Sequence, residues 1–146
     1  MIEYRKMQEQ DIESVALLEK QCFSQPWSYN AFKSALDDKN VLYIVAECEG
    51  SIVAQCGVRN IVGEGEITNV AVKPEYRKQG IAYAMLTSLL TKGMEMGISA
   101  FTLEVRSRNA AAIALYKKLG FVSEGIRPGF YTNPADDAMI MWKRLT

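Results

Sequence analysis

The chain has 146 residues, 17 acidic and 17 basic side chains, and no histidine. That length holds one domain with a real core, so residues 1–146 are expected to form a single domain, and the even charge offers no field for nucleic acid or an anionic membrane. The missing histidine removes Ser-His-Asp and Cys-His catalysis and leaves Glu, Asp, Tyr, Lys, Cys or ordered water to move protons.

In chain order, "IEYRKM" reads as a first strand. "QDIESVALLEKQCF" places Ile12, Val15, Leu18 and Cys22 on one helix face, and Ser28 caps a second helix that follows Pro26 and Trp27. "VLYIVAECEGSIVAQCGVRNI" gives two strands around a Glu49-Gly50-Ser51 turn; "VGEGE" turns the chain into a third, "ITNVAV". A helix is predicted over Gln79–Met96, with Ile81, Met85 and Leu89 on its apolar face. "AFTLEV" is a strand, then a helix spans Asn109–Leu119 and stops at Gly120, a C-cap residue. "FVSEGI" and "DAMIMWKRL" complete the order βααβββαβαββ, a mixed α/β (α+β) fold around a central mixed sheet.

No apolar run approaches the ~20 residues of a membrane span, and "MIEYRKMQEQ" lacks the apolar region of a signal peptide. A cytoplasmic location is the expectation. Cys22, Cys48 and Cys56 are odd in number and form no C-x-x-C, so neither a disulfide framework nor a metal site is expected. Cys56 alternates with apolar neighbours and Cys22 follows helical spacing, so both read as small core residues.

"VKPEYRKQGIAYA", Val72 to Ala84, sets two cations, a glycine and a small residue at the mouth of a helix. The first N–H groups of a helix lack partners and its dipole favours anions there, which suits a pyrophosphate; a solvated turn is the plainer alternative. Walker and G-x-G-x-x-G patterns are absent. "VAVKPEYRKQGIAYAML" resembles the acetyl-CoA motif Q/R-x-x-G-x-G/A of the GNAT N-acetyltransferase superfamily, with Arg77, Gly80 and Ala82 in its key places. The resemblance implies the GNAT fold over nearly the whole chain and acetyl-CoA as co-substrate. It implies that the backbone of Val70, Ala71 and Val72 pairs with the pantetheine arm. It assigns the phosphates to the amides of Lys78, Gln79, Gly80, Ile81, Ala82 and Tyr83.

Glu104 interrupts the apolar strand "FTLEV", where a buried charge is costly without partners; a salt bridge with Arg106 is its plain alternative. Asn109 and Tyr116 are two helical turns apart, and Ala110, Ala111 and Ala112 keep the first turn between them slim. "LEVRSRNAAAIALYKKLGF", "PWS" and "GFYTNPADDAMIM" are similar to the ribosomal-protein-alanine N-acetyltransferase branch. That branch acts on the N-terminal alanine of a small-subunit ribosomal protein. The resemblance implies Glu104 as general base, directly or through water, Tyr116 as general acid to the departing thiolate, and Asn109 as a cofactor contact. Tyr131 is carried over as a substrate-side residue, while Phe130 stands where the branch often has a second tyrosine.

The residue types suit this chemistry. A peptide α-amine has a pKa near 8, so a carboxylate suffices to deprotonate it; a phenol near 10 can stabilise a thiolate by hydrogen bonding. No cysteine lies near these motifs in the chain, and direct attack needs none. Acetylation of a small amine, or a non-catalytic CoA-binding or partner-binding module, remain open as alternatives to a protein N-terminus as the acceptor.

Overall fold

In the computed structural model, residues 1–145 are described. Seven strands form one sheet in the order β1-β2-β3-β4-β5-β7-β6. In the chain they follow as β1 (Ile2–Lys6), α1 (Ile12–Cys22), α2 (Tyr29–Asp37), β2 (Val41–Cys48), β3 (Ser51–Ile61), β4 (Glu64–Val72), α3 (Ile81–Glu95), β5 (Ala100–Arg106), α4 (Ala110–Lys118), β6 (Val122–Thr132) and β7 (Ala135–Arg144). The predicted order of elements is the observed one. All neighbouring strands are antiparallel except β4 and β5.

Both hairpins joining β2, β3 and β4 turn through two residues of positive φ, Glu49–Gly50 and Val62–Gly63, the geometry that matches strand twist. Because the Asn60 side chain also accepts from the Gly63 N–H, β4 resumes at once and begins at Glu64, three residues before the predicted Ile67. Ser28 caps α2 as expected, accepting from the Ala31 N–H at 3.1 Å.

The sheet separates two apolar layers. Leu42, Ile44, Leu103 and Val105 join Met85 and Leu89 of α3 and Tyr116 and Leu119 near α4 on one face. Tyr43 and Val45 meet Ile12 and Val15 of α1 and Phe32 of α2 on the other. Strand alternation explains the division, since successive residues of β2 point to opposite faces. Among the described residues no helix is long and apolar enough to cross a membrane.

β4 is where the sheet opens. It pairs with β3 along most of its length, but with β5 only over Glu64–Glu66 against Ala100–Thr102. Beyond that point the two parallel strands diverge. In the β3–β4 ladder Gln55 faces Ala71 and Gly57 faces Thr68, so Cys56 alone opposes both Asn69 and Val70. This bulge, with Asn69 at φ 54°, bends β4 as it leaves β5.

Candidate active site

The charged turn lies beyond the carboxyl end of β4. Lys73 N–H still donates to Val53 of β3, Pro74–Tyr76 make one tight turn, and Lys78 (φ 63°) and Gly80 (φ 80°) both take the left-handed conformation. Gly80 is the N-cap of α3, which begins at Ile81, two residues later than the predicted start, and no side chain caps the helix there. A Cβ on Gly80 would meet nothing within 4 Å. The fifteen-residue helix thus starts with uncapped amides next to a glycine that leaves room for a ligand, as an anion cradle requires. Ile81 is buried, so only its backbone is available to a ligand, whereas Lys78, Gln79 and Tyr83 are exposed.

Arg77 does not stand free over this cradle. Its Nε donates to the Val72 carbonyl at 3.1 Å and its Nη2 to Cys22 Sγ at 3.8 Å. Since Lys73 N–H points to β3, the Val72 carbonyl on the same peptide unit points away from β3, into the opening. The group that the resemblance assigns to the pantetheine arm thus already accepts from Arg77 and, at 3.7 Å, from the Cys22 thiol, so an arriving arm would have to displace one of them. Cys22 is half-buried beside this guanidinium, not the plain core residue its spacing suggests, while Cys56 is fully buried. Chain distance from the motifs was no guide to position in space.

Glu104 lies two residues past the last β5 residue paired with β4. Leu103 and Val105 enter the α3–α4 layer, so Glu104 projects from the opposite face of the sheet. Its side chain keeps 33% of its surface exposed and accepts from Arg127 of β6 at 2.7 Å. The alternative pairing with Arg106 does not form. Arg106 instead donates to the carbonyls of Asn133 and Pro134 and stacks 4.3 Å over the Tyr131 ring. β6 is longer than "FVSEGI" suggests, and its register shifts between Arg127 and Tyr131, with Gly129 at φ 64°. That irregularity lets Arg127 and Tyr131 both approach β5.

Tyr116 is held by the end of its helix. Gly120 (φ 99°) donates to the Lys117 carbonyl and Phe121 to that of Tyr116 itself, at 3.0 and 2.9 Å, and the Tyr116 and Phe121 rings meet edge-on at 6.0 Å. This is the Schellman arrangement with its apolar contact, and "YKKLGF" spells it out. Tyr116 is only 7% exposed. Burial first, then Cys56 and Tyr131 nearby, push its phenol well above the usual range, so it stays protonated at neutral pH. Burial and the Glu104 charge likewise raise Tyr131, against the pull of Arg106.

Asn109 is not inside α4 but its N-cap, its Oδ1 accepting from the Ala112 N–H at 3.1 Å. It is exposed where Tyr116 is buried, and its amide nitrogen is what remains for a ligand.

Two groups escaped the sequence reading. Arg127 carried no signal before its strand was placed. Glu19 did carry one: a carboxylate at i+4 from Val15, on the apolar face of α1, is only 2% exposed. It accepts from Asn69 Nδ2 at 2.7 Å, Gln55 Nε2 at 3.0 Å and the Trp27 N–H at 3.3 Å. Burial raises its pKa while these donors pull it down. Among the described residues no cluster of His, Cys, Asp and Glu could hold a metal ion. An open groove bordered by Asp38, Arg59 and Val62 lies at the closed end of the β4–β5 pair and shares no residue with this site.

A family model for the acetyltransferase (GNAT) family matches residues 11–121. The chain is 36% identical over 139 residues to a Bacillus subtilis protein provisionally named a ribosomal protein bS18-alanine N-acetyltransferase, covering 94% of this chain and 92% of that one. It is 33% identical over 133 residues to the ribosomal protein bS18-alanine N-acetyltransferase of Escherichia coli, covering 90% and 89%. A crystal structure of the ribosomal-protein-S18-alanine N-acetyltransferase from Escherichia coli superposes with a TM-score of 0.90 at 31% identity, over all of this chain and 95% of that one.

Proposed function

The chain belongs to the GNAT acetyltransferase family, and on that premise we propose that it acetylates the α-amine of a protein N-terminus, namely the N-terminal alanine of a small-subunit ribosomal protein. The family's co-substrate is acetyl-CoA, which supplies a thioester-activated acetyl group. A ribosomal-protein acceptor, as in the named activity of that relative, supports action on a peptide end in the cytoplasm.

One observation carries the reading. Glu104 and Tyr116 stand on opposite faces of the sheet, and the parting of β4 from β5 is the opening between them. An amine arriving from the Glu104 face and a thiol leaving on the Tyr116 face would meet across that slot. The uncapped amides from Gly80 onward suit the pyrophosphate, the edge of β4 at Val70–Val72, which no strand covers, suits an extended arm, and Asn109 at the start of α4 keeps its amide nitrogen for the cofactor.

In this mechanism Arg127 yields the Glu104 carboxylate to the incoming ammonium, which loses a proton to it directly or through one water. The neutral amine attacks the acetyl carbonyl. The Tyr116 hydroxyl, kept protonated by its burial, then donates to the sulfur as the C–S bond breaks, and the proton that the new amide nitrogen releases restores it. No acyl-enzyme is needed. Tyr131, stacked under Arg106 and close to Glu104, holds the acceptor backbone.

The test is a panel of acceptors supplied with acetyl-CoA, with free CoA as the readout. A peptide beginning with alanine should outpace a polyamine, an aminoglycoside and free amino acids. Faster turnover of a small amine than of every peptide would overturn the assignment.

A further inference from the structure

We infer that Glu19 is a positioning residue for acetyl transfer, acting through Asn69 to fix the bulge at which β4 parts from β5. The inference rests on that opening being the place of reaction.

The carboxylate is almost wholly out of water and, among the described residues, has no cation within ion-pair distance. A charged or polar group is rarely left so deep in a core unless hydrogen bonds hold it. Its three donors come from three elements: Asn69 of β4, Gln55 of β3, and the backbone of Trp27 between α1 and α2. Asn69 is the left-handed residue of the bulge, and Gln55 neighbours the single residue opposite it. A bulge re-aims the peptide groups that follow it. Here those are the groups of Val70 to Val72, on the edge of β4 that faces the opening. Trp27, in turn, packs on Phe32 and Tyr43 at 5.3 and 6.5 Å, so the α1–α2 connection is tied to the same point.

Stability alone does not account for the arrangement. Asn69 Oδ1 and Gln55 Oε1 are buried without a partner, a cost that an apolar core would avoid. What the network adds is one defined conformation for β4 at the slot.

The unpartnered amide oxygens also supply the test. Asn69→Asp puts a second carboxylate where Nδ2 now stands, 2.7 Å from Glu19, while keeping a residue type that tolerates positive φ. Misplacement of a reacting centre by about an ångström costs on the order of a hundredfold in rate. N69D should therefore lower kcat at saturating acetyl-CoA by roughly ten- to a hundredfold, with a smaller change in acetyl-CoA KM, because the helix α3 amides are untouched. Adding Glu19→Gln restores a donor toward the introduced carboxylate and keeps an acceptor for Gln55, giving up only the long bond to Trp27. The double variant should recover kcat to within about tenfold of wild type, measured well below each variant's melting midpoint. Wild-type kcat in N69D, or a double variant no faster than N69D, would overturn the inference. If the unaltered protein turned over no acceptor, acetyl transfer itself would fall. The network would then be read from whether E19Q offsets the loss of melting temperature in N69D.

Discussion

Replacing Gly80 by Asn and by Ala separates two demands on one position. At φ 80° a non-glycine residue costs about 1–2 kcal/mol, less for Asn, whose short side chain tolerates the left-handed region. A Cβ there meets no neighbour, so no clash adds to this strain. For a domain of this size 1 kcal/mol corresponds to about 4 °C, so Gly80→Ala should lower the melting midpoint by about 4–8 °C, and Gly80→Asn by less. Binding follows a different logic. Either side chain fills the space before the first amides of α3, where an anion would sit. A hydrogen bond to a charged group contributes about 1.5–3 kcal/mol, so losing one weakens acetyl-CoA binding by roughly ten- to a hundredfold. Titration calorimetry with acetyl-CoA gives the affinity, and a thermal melt of the free protein gives the stability. Asn should thus be the milder change for folding and an equally harmful one for binding. Wild-type affinity in Gly80→Asn would refute the placing of the pyrophosphate at this helix.

Two further outcomes follow from the site. Glu104→Gln and Tyr116→Phe should each lower kcat by a factor on the order of tens or more with the melting temperature little changed, since the first side chain is partly exposed and the second keeps its ring against Phe121; near-normal steady-state turnover in either variant removes that residue from the mechanism. Stability should fall in alkali. Tyr43, Cys56 and Tyr116 are buried with raised pKa values, so above pH ~9–10 the unfolded chain releases protons that the native state retains. Their stabilising effect is fully present below the ordinary thiol and phenol pKa values and is lost as pH rises. Melting midpoints that stay flat from pH ~8 to ~11 would contradict this.

Much of the fold was legible because local chemistry and global structure agreed. "YKKLGF" specifies a helix end, and that end fixes Tyr116; Gly80 marks the start of α3 by the same kind of backbone demand. Glu104 was visible because it breaks an apolar strand. Its partner was not, since β6 is exposed over nearly its whole length and gives no two-residue alternation. That Arg127 pairs with Glu104 depends on how β6 and β7 register beside β5, which spacing along one strand cannot reveal. Glu19 was hidden for another reason. Charged residues on helices usually face water, and only the bulge of β4 gives this one a reason to point inward.

The parting of β4 from β5 leaves one strand with two kinds of amide. Those turned toward β3 are locked in a ladder; those turned the other way, beyond Glu66, have no strand beside them. In hydrogen exchange the free protein would show this as an alternation along β4, slow and fast positions in turn. A bound extended ligand lying along the edge would silence the fast set alone. The strand therefore reports on its own occupancy, amide by amide, without any label attached to it.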